Sequence, residues 1–326
     1  MKIDVHNHFY PRQYLDELRR ESRCATITTD VQGRTLVNYA GDYNVVDASH
    51  VDPEARIEAM DEAGIDVQII SLTTPGVHLE QRERAIQISR VVNDAMADVV
   101  AKYPSRFRAF ATLPMQDPKA SVEELERCVK QLGMVGAQIF TSVGERNLDS
   151  HDYWPLYELG QELDVPFFIH PTSPPGSDKM EDYRLAPLVG FCMDTTLAAS
   201  RLVFSGVLER FPRVKFILSH LGGAMPYLAE RIERGWRVFS ELQGGIPRSP
   251  VEYFKMMYLD TVNFDPNALM CGLGFAGPDK LILGSDHPHQ IGGIRLCVPA
   301  IASLPVDESV RDKILGGNAK AMFRIA

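Results

Sequence analysis

The chain has 326 residues, 45% of them hydrophobic and 24% charged, a balance that excludes a disordered or fibrous polymer and allows a large buried core. Its 34 Lys and Arg against 43 Asp and Glu leave a formal charge of −9, which argues against a nucleic-acid partner because that would need a basic footprint. The five cysteines, Cys24, Cys128, Cys192, Cys271 and Cys297, are odd in number and lack CxxC spacing, so a reduced, cytoplasmic protein is expected.

The opening MKIDVHNHFYPR has no apolar signal-peptide core, and no apolar run reaches the roughly 18 residues of a membrane span, so neither secretion nor a membrane partner is expected. Residues 3–8, IDVHNH, form the first candidate strand. Side chains two apart in a strand share a face, which sets His6 and His8 side by side in metal-ligand fashion. Such a pair also occurs as a polar edge or a hydrogen-bonded buried pair, so the remaining ligands must come from elsewhere in the chain.

Residues of about 10–52 are polar, with Gly33, Gly41 and little periodicity, and read as an irregular insertion or lid over the site. From Asp52 the pattern becomes regular. PEARIEAMDEAG carries Ile57, Met60 and Ala63 at helical spacing with Gly64 as the stop, and the apolar run VQIISL follows. Candidate strands continue at 67–72, 107–113, 136–141, 166–170, 215–220, 257–262 and 281–285, with helical stretches such as ERAIQISRVVNDAMADVVAKY and SVEELERCVKQLG between them.

Eight short β-rich runs, each followed by a helix or long loop, predict an α/β fold of the (β/α)8 TIM-barrel type, with residues 1–326 as one domain. A doubly wound open sheet would need a glycine-rich phosphate loop after an early strand, and neither GxGxxG nor a Walker A motif is present.

In such a barrel the site is assembled from the C-terminal ends of several strands. The first candidate strand ends in His6 and His8, the fifth (PFFIHP) in His170, the sixth (KFILSHLGG) in His220 and the eighth (LILGSDHP) in Asp286. Any one of these could be a helix cap or a turn residue; their convergence at one end of four strands points to a metal site. Imidazole and carboxylate suit Zn²⁺, Mn²⁺ or Fe²⁺, and three His with one Asp leave a coordination position open, the mark of a catalytic rather than a structural site.

These motifs resemble the amidohydrolase superfamily. The segments IEAMDEAGIDVQIIS, RVVNDAMADVVAKYPSRFRAFATLPMQDP, FIHPTSPPG, SGVLERFPRVKFILSHLGGAMPYLAERIERGW, LILGSDHPH and ILGGNAKAMF are similar to its decarboxylase branch, to which aminocarboxymuconate-semialdehyde, gamma-resorcylate and 5-carboxyvanillate decarboxylases belong. The resemblance implies one divalent metal, Zn²⁺ first and Mn²⁺ as the alternative, held by His6, His8, His170 and Asp286. His220 matches a histidine that acts on metal-bound water or on substrate. Gln138 stands where binuclear members keep a bridging Lys, which implies a single ion. Arg231, in LAERIERGW, matches an arginine that enters the neighbouring subunit's site to hold a substrate carboxylate, so a homodimer or dimer-based oligomer is expected.

Two positions depart from the semialdehyde decarboxylase. Asn44, in DYNVVD, stands where it has a second substrate-binding Arg, and His289, in DHPH, where it has an aromatic residue. Both are candidate substrate contacts, and His287 and His78, the latter placed near the rim, stay open; His50 and His151 receive no role. The expected function is metal-dependent, non-oxidative decarboxylation of a small aromatic or muconate-type carboxylic acid, with His220 and Asp286 handling the proton. The rival readings are hydrolysis of a lactone, amide or ring-cleavage product, a hydratase or isomerase of a muconate-like acid, and a barrel that merely binds metal.

Overall fold

A computed structural model of the chain describes residues 1–22, 24–144, 146–172, 174 and 176–325. Strand falls within all eight predicted runs: Ile3–Asp4 with His8–Phe9, Val67–Leu72, Phe107–Ala109 with Ala111–Thr112, Ala137–Phe140, Pro166–His170, Lys215–Leu218, Tyr258–Asp260 and Leu281–Ile282. Each pairs in parallel with the next, in registers such as Ile3 with Val67, Gln68 with Phe107, Phe167 with Ala137 and Leu259 with Leu281. The last run returns to the first: Val5 N donates to Leu283 O at 2.9 Å, His8 N to His287 O at 2.7 Å, and Asn7 bridges His287 in parallel. The protein is a (β/α)8 barrel.

Strands buried on both faces need apolar residues at nearly every position, which is why VQIISL, PFFIH and KFIL do not alternate. One apolar cluster, with Val5, Ile69, Phe110, Phe168, Ile217 and Ile282 drawn from six strands around the ring, fills the interior and is joined by Met322, Phe323 and Ile325 near the C-terminus. A larger cluster packs strand residues such as Leu72, Ile139, Phe216 and Leu259 against the surrounding helices. The predicted helix is Pro53–Ala63, capped by Asp52, whose side chain accepts from Glu54 N at 2.9 Å, and stopped by Gly64 at φ 67°.

The segment after the first strand is more regular than its sequence suggests. It holds a helix, Arg12–Glu21, and a three-stranded antiparallel meander, Ala25–Thr29, Thr35–Tyr39 and Asp42–Val45. Most meander side chains are exposed or half-buried, so selection for an alternating apolar face is weak and the strand signal is lost. After the fifth strand, short turns over Ser177–Lys179, Asp182–Arg184 and Ala186–Gly190 lead into the helix Phe191–Phe204. No helix among the described residues is long and apolar enough to cross a membrane.

Candidate metal centre

His6, His8, His170, His220 and Asp286 meet at one end of the barrel. One ring nitrogen each from His6, His170 and His220 and a carboxylate oxygen of Asp286 all lie within 4.8 Å of one another. His8 Nε2 is 3.1 Å from His6 Nε2 and 2.9 Å from Asp286 Oδ1. A second set, His8, Asp286 and His289, shares the same carboxylate. His220 and Asp286 sit at φ 52° and 57°, a left-handed conformation that is uncommon outside glycine and that concentrates at functional sites.

The donor set fits a divalent cation. His6 Nδ1 lies 2.5 Å from Asp260 Oδ2 and His170 Nδ1 2.7 Å from Pro171 O, so both rings donate outward and turn the Nε2 lone pair inward. His8 Nδ1, His220 Nδ1 and Asp286 Oδ1 are buried without a hydrogen bond among the described residues. His6 Nε2, His8 Nε2 and Asp286 Oδ1, which face one another, are costly to bury together in a dry pocket and are satisfied by one Lewis acid.

Electrostatics favour the same reading. Burial pushes His8 and His170 well below the ordinary imidazole range and lowers His220 as well, keeping these rings neutral and able to ligate. Burial also works against charge on His6, yet the carboxylates of Asp260 and Asp286 outweigh it and raise the ring to about 10. Asp286 resists burial in turn: His6 and His8 hold it well below the usual carboxylate range. The cluster is built to hold positive charge, and a cation can replace the proton on His6.

Buried polar side chains beneath the cluster tie the ligand segments together. Arg56, fully buried, donates to Asn7 Oδ1 at 3.0 Å, Gln68 Oε1 at 2.8 Å and Ser49 O at 2.9 Å, and also to His8 O. Gln68 Nε2 donates to Asp4 Oδ2 at 2.7 Å, and the same oxygen accepts from Ser285 Oγ at 2.6 Å. The loops bearing His6, His8 and Asp286 thereby share one frame.

His170, His220 and Asp286 line a cavity of about 550 Å³, with His6 and His8 buried behind them. His289 lines it, with Nε2 2.7 Å from Thr73 Oγ1 and its ring 4.5 Å from that of His8. Asn44 also lines it, but its amide NH₂ is committed to Thr74 O and Tyr10 OH, each at 2.8 Å. Arg231 lies outside the cavity, exposed on the helix Met225–Val238.

His78, expected near the rim, lies beside the ends of the fourth and fifth strands but is buried there, bonded to Thr172 Oγ1 and packed 4.2 Å from the Phe140 ring. His287 is buried as well, and Gln138 is turned to Leu72 O at 2.6 Å. His50 is buried too, stacked 5.3 Å from Tyr10 and bonded to Asp47 N, a structural post that its polar surroundings in sequence concealed.

Two residues escaped sequence reasoning. Asp260 ends the seventh strand, YLD, and the strand-end rule applied to the other ligands would have found it. Arg184 enters the cavity wall from the turns before Phe191, and its sequence context EDYRLAP gives no signal.

Residues 3–325 match the family model described as Amidohydrolase. The chain is 31% identical to 2-amino-3-carboxymuconate-6-semialdehyde decarboxylase of Dictyostelium discoideum over 98% of this chain and 90% of that protein. It is 37% identical to gamma-resorcylate decarboxylase of a Polaromonas species over 83% of this chain and 87% of that one. A solved dihydroxybenzoic acid decarboxylase from Polaromonas, with bound manganese and the inhibitor 2-nitroresorcinol, superposes with a TM-score of 0.83 at 32% identity, covering 99% of this chain and 97% of the other. This chain belongs to the amidohydrolase family.

Proposed function

We propose that this protein is a metal-dependent, non-oxidative decarboxylase of a small aromatic carboxylic acid. The observation that carries the reading is the convergence of His6, His8, His170, His220 and Asp286 on one point at the floor of a cavity whose walls include Phe191, Phe264 and Val262. Of the relatives named above, one is a decarboxylase of an aromatic acid, gamma-resorcylate, and one of a muconate semialdehyde, and their likeness covers 83% and 98% of this chain. His6, His8, His170 and Asp286 hold one divalent ion, Mn²⁺ or Zn²⁺. When bound, that ion supplies a Lewis-acidic anchor for the substrate carboxylate and neutralises its charge.

The ring carbon bearing the carboxylate must gain a proton before the C–C bond breaks, because the electron pair left behind needs a sink. Asp286 relays that proton to the ring carbon, and His220, held neutral by burial, polarises the substrate beside it. The bond to the carboxylate then breaks, its electron pair returns to the ring, and CO₂ leaves; one proton is consumed for each CO₂ released. Apolar walls exclude water and keep the ring in line with these groups.

Arg231 belongs, in this reading, to a homodimer in which it reaches the neighbouring subunit's cavity; its exposure and its position outside its own cavity support that. Five unpaired thiols support a cytoplasmic location.

The test is CO₂ release from a panel of 2-hydroxybenzoates and muconate-type semialdehydes, run beside lactones and amides. CO₂ from the acids is expected, and turnover of lactones or amides without CO₂ would overturn the reading. Asp286→Asn, at unchanged metal content, is expected to lower kcat by roughly 10³-fold.

A further inference from the structure

We propose that Arg184 is the specificity residue of this cavity and binds a second carboxylate on the substrate, at the ring edge remote from the metal centre. The inference rests on the decarboxylase reading and adds a substrate class to it: an aromatic acid with two carboxylates.

Arg184 is the only Lys or Arg among the described residues that line the cavity. Pro187, Leu188, Phe191, Phe264 and Ile291 give the same cavity apolar lining, and its other donors on these segments, Asn263 and Gln290, are neutral. The neighbouring Tyr183 and the wall residues Leu188 and Ile291 are exposed, whereas His170 and Asp286 are buried, so Arg184 stands at the mouth and the metal ligands at the floor. A ring acid seated with one carboxylate on the floor presents its far edge to this guanidinium.

The guanidinium is held but not satisfied. Nη2 donates to Asp42 Oδ1 at 2.8 Å and to Tyr43 O at 3.0 Å, and the cation lies 4.3 Å from the Tyr43 ring centroid. Nη1 has no acceptor among the described residues, and neither has the buried Nε. Tyr183 and Arg184 both take left-handed backbone angles, φ 59° and 54°, which the surrounding turns must hold in place. With Nη2 held by Asp42 and Tyr43 O, Nη1 keeps its N–H groups free to donate to one carboxylate oxygen. Asp42 plays a double part, because it orients the fork and also competes with an incoming anion.

Titration calorimetry of the metal-loaded protein with isophthalate and with benzoate tests the idea. Neither ring is activated by a hydroxyl, so binding is read apart from turnover, and failure of the CO₂ assay would leave this comparison intact. Isophthalate is expected to bind about tenfold more tightly than benzoate, the value of one charge-assisted contact. Arg184→Gln should abolish that preference. Asp42→Asn breaks the same ion pair yet removes the competing anion, so it should widen the preference. Equal binding in the unaltered protein, a preference that survives in Arg184→Gln, or a preference that shrinks in Asp42→Asn would reduce Arg184 to a strap between two loops and overturn the proposal.

Discussion

Asp260 Oδ2 lies 2.5 Å from His6 Nδ1, while Oδ1 of the same carboxylate accepts from Leu221 N at 2.9 Å and Val262 N at 3.0 Å. One buried side chain on the seventh strand therefore fixes both the tautomer of a ligand on the first strand and the backbone that carries His220. Asp260→Asn keeps a carbonyl oxygen for the two backbone donors but turns an NH₂ toward the imidazole N–H. Metal affinity is expected to fall about 10–100-fold, read by competition with a chelator, with the fold retained. Unchanged affinity would remove Asp260 from the site.

Gly292 guards the Asp286 loop. A Cβ there would collide with the carbonyl oxygen of Asp286 and stand 3.0 Å from that of Ser285. Gly292→Ala is expected to displace Asp286 and lower the metal bound per chain, measured by elemental analysis. Gly274, exposed in the helix Pro266–Ala276 with open space around its Cα, is the control. Gly274→Ala should leave metal content unchanged and stabilise the protein by up to about 1 kcal/mol.

Arg56 is buried under the ligand strand with four acceptors around it. Arg56→Met preserves much of the volume but strands Asn7 Oδ1, Gln68 Oε1 and the carbonyls of His8 and Ser49. Urea unfolding should show a loss of at least about 1–3 kcal/mol, the cost of leaving a buried acceptor unpaired. A loss comparable with an exposed Arg substitution would show that the network carries little.

Acid sensitivity is expected at Asp164. Lys215, 2.5 Å away, and Arg324 hold its carboxyl below the ordinary value of 3.8. A depressed folded-state value adds stability above pH 3.8, and that stability is lost as pH falls through the depressed value. Asp164→Asn should therefore melt slightly below the unaltered protein near neutral pH, and the two should converge in acid. The group is partly exposed, so the gap should also shrink in high salt. A constant gap across pH would argue against the ion pair.

Several features were legible from residue order alone. Parallel strands buried on both faces force unbroken apolar runs, so VQIISL, PFFIH and KFIL announced themselves, and the barrel followed from their alternation with helices. His6, His8, His170, His220 and Asp286 were legible because each punctuates such a run. The meander over Ala25–Val45 was not, because its strands are largely exposed and carry no strong alternation.

The sequence by itself determined the order of strands and helices and which polar side chains end the strands, because burial imposes a periodicity that local chain chemistry records. Only the tertiary structure decided that His78 is buried against Phe140 and Thr172, that Asp260 answers His6 across 254 residues of sequence, and that Arg184 arrives at the cavity mouth bonded to Asp42. Those relationships depend on where loops land after the barrel closes. Packing and hydrogen bonding between distant segments set that position, and no local pattern encodes it.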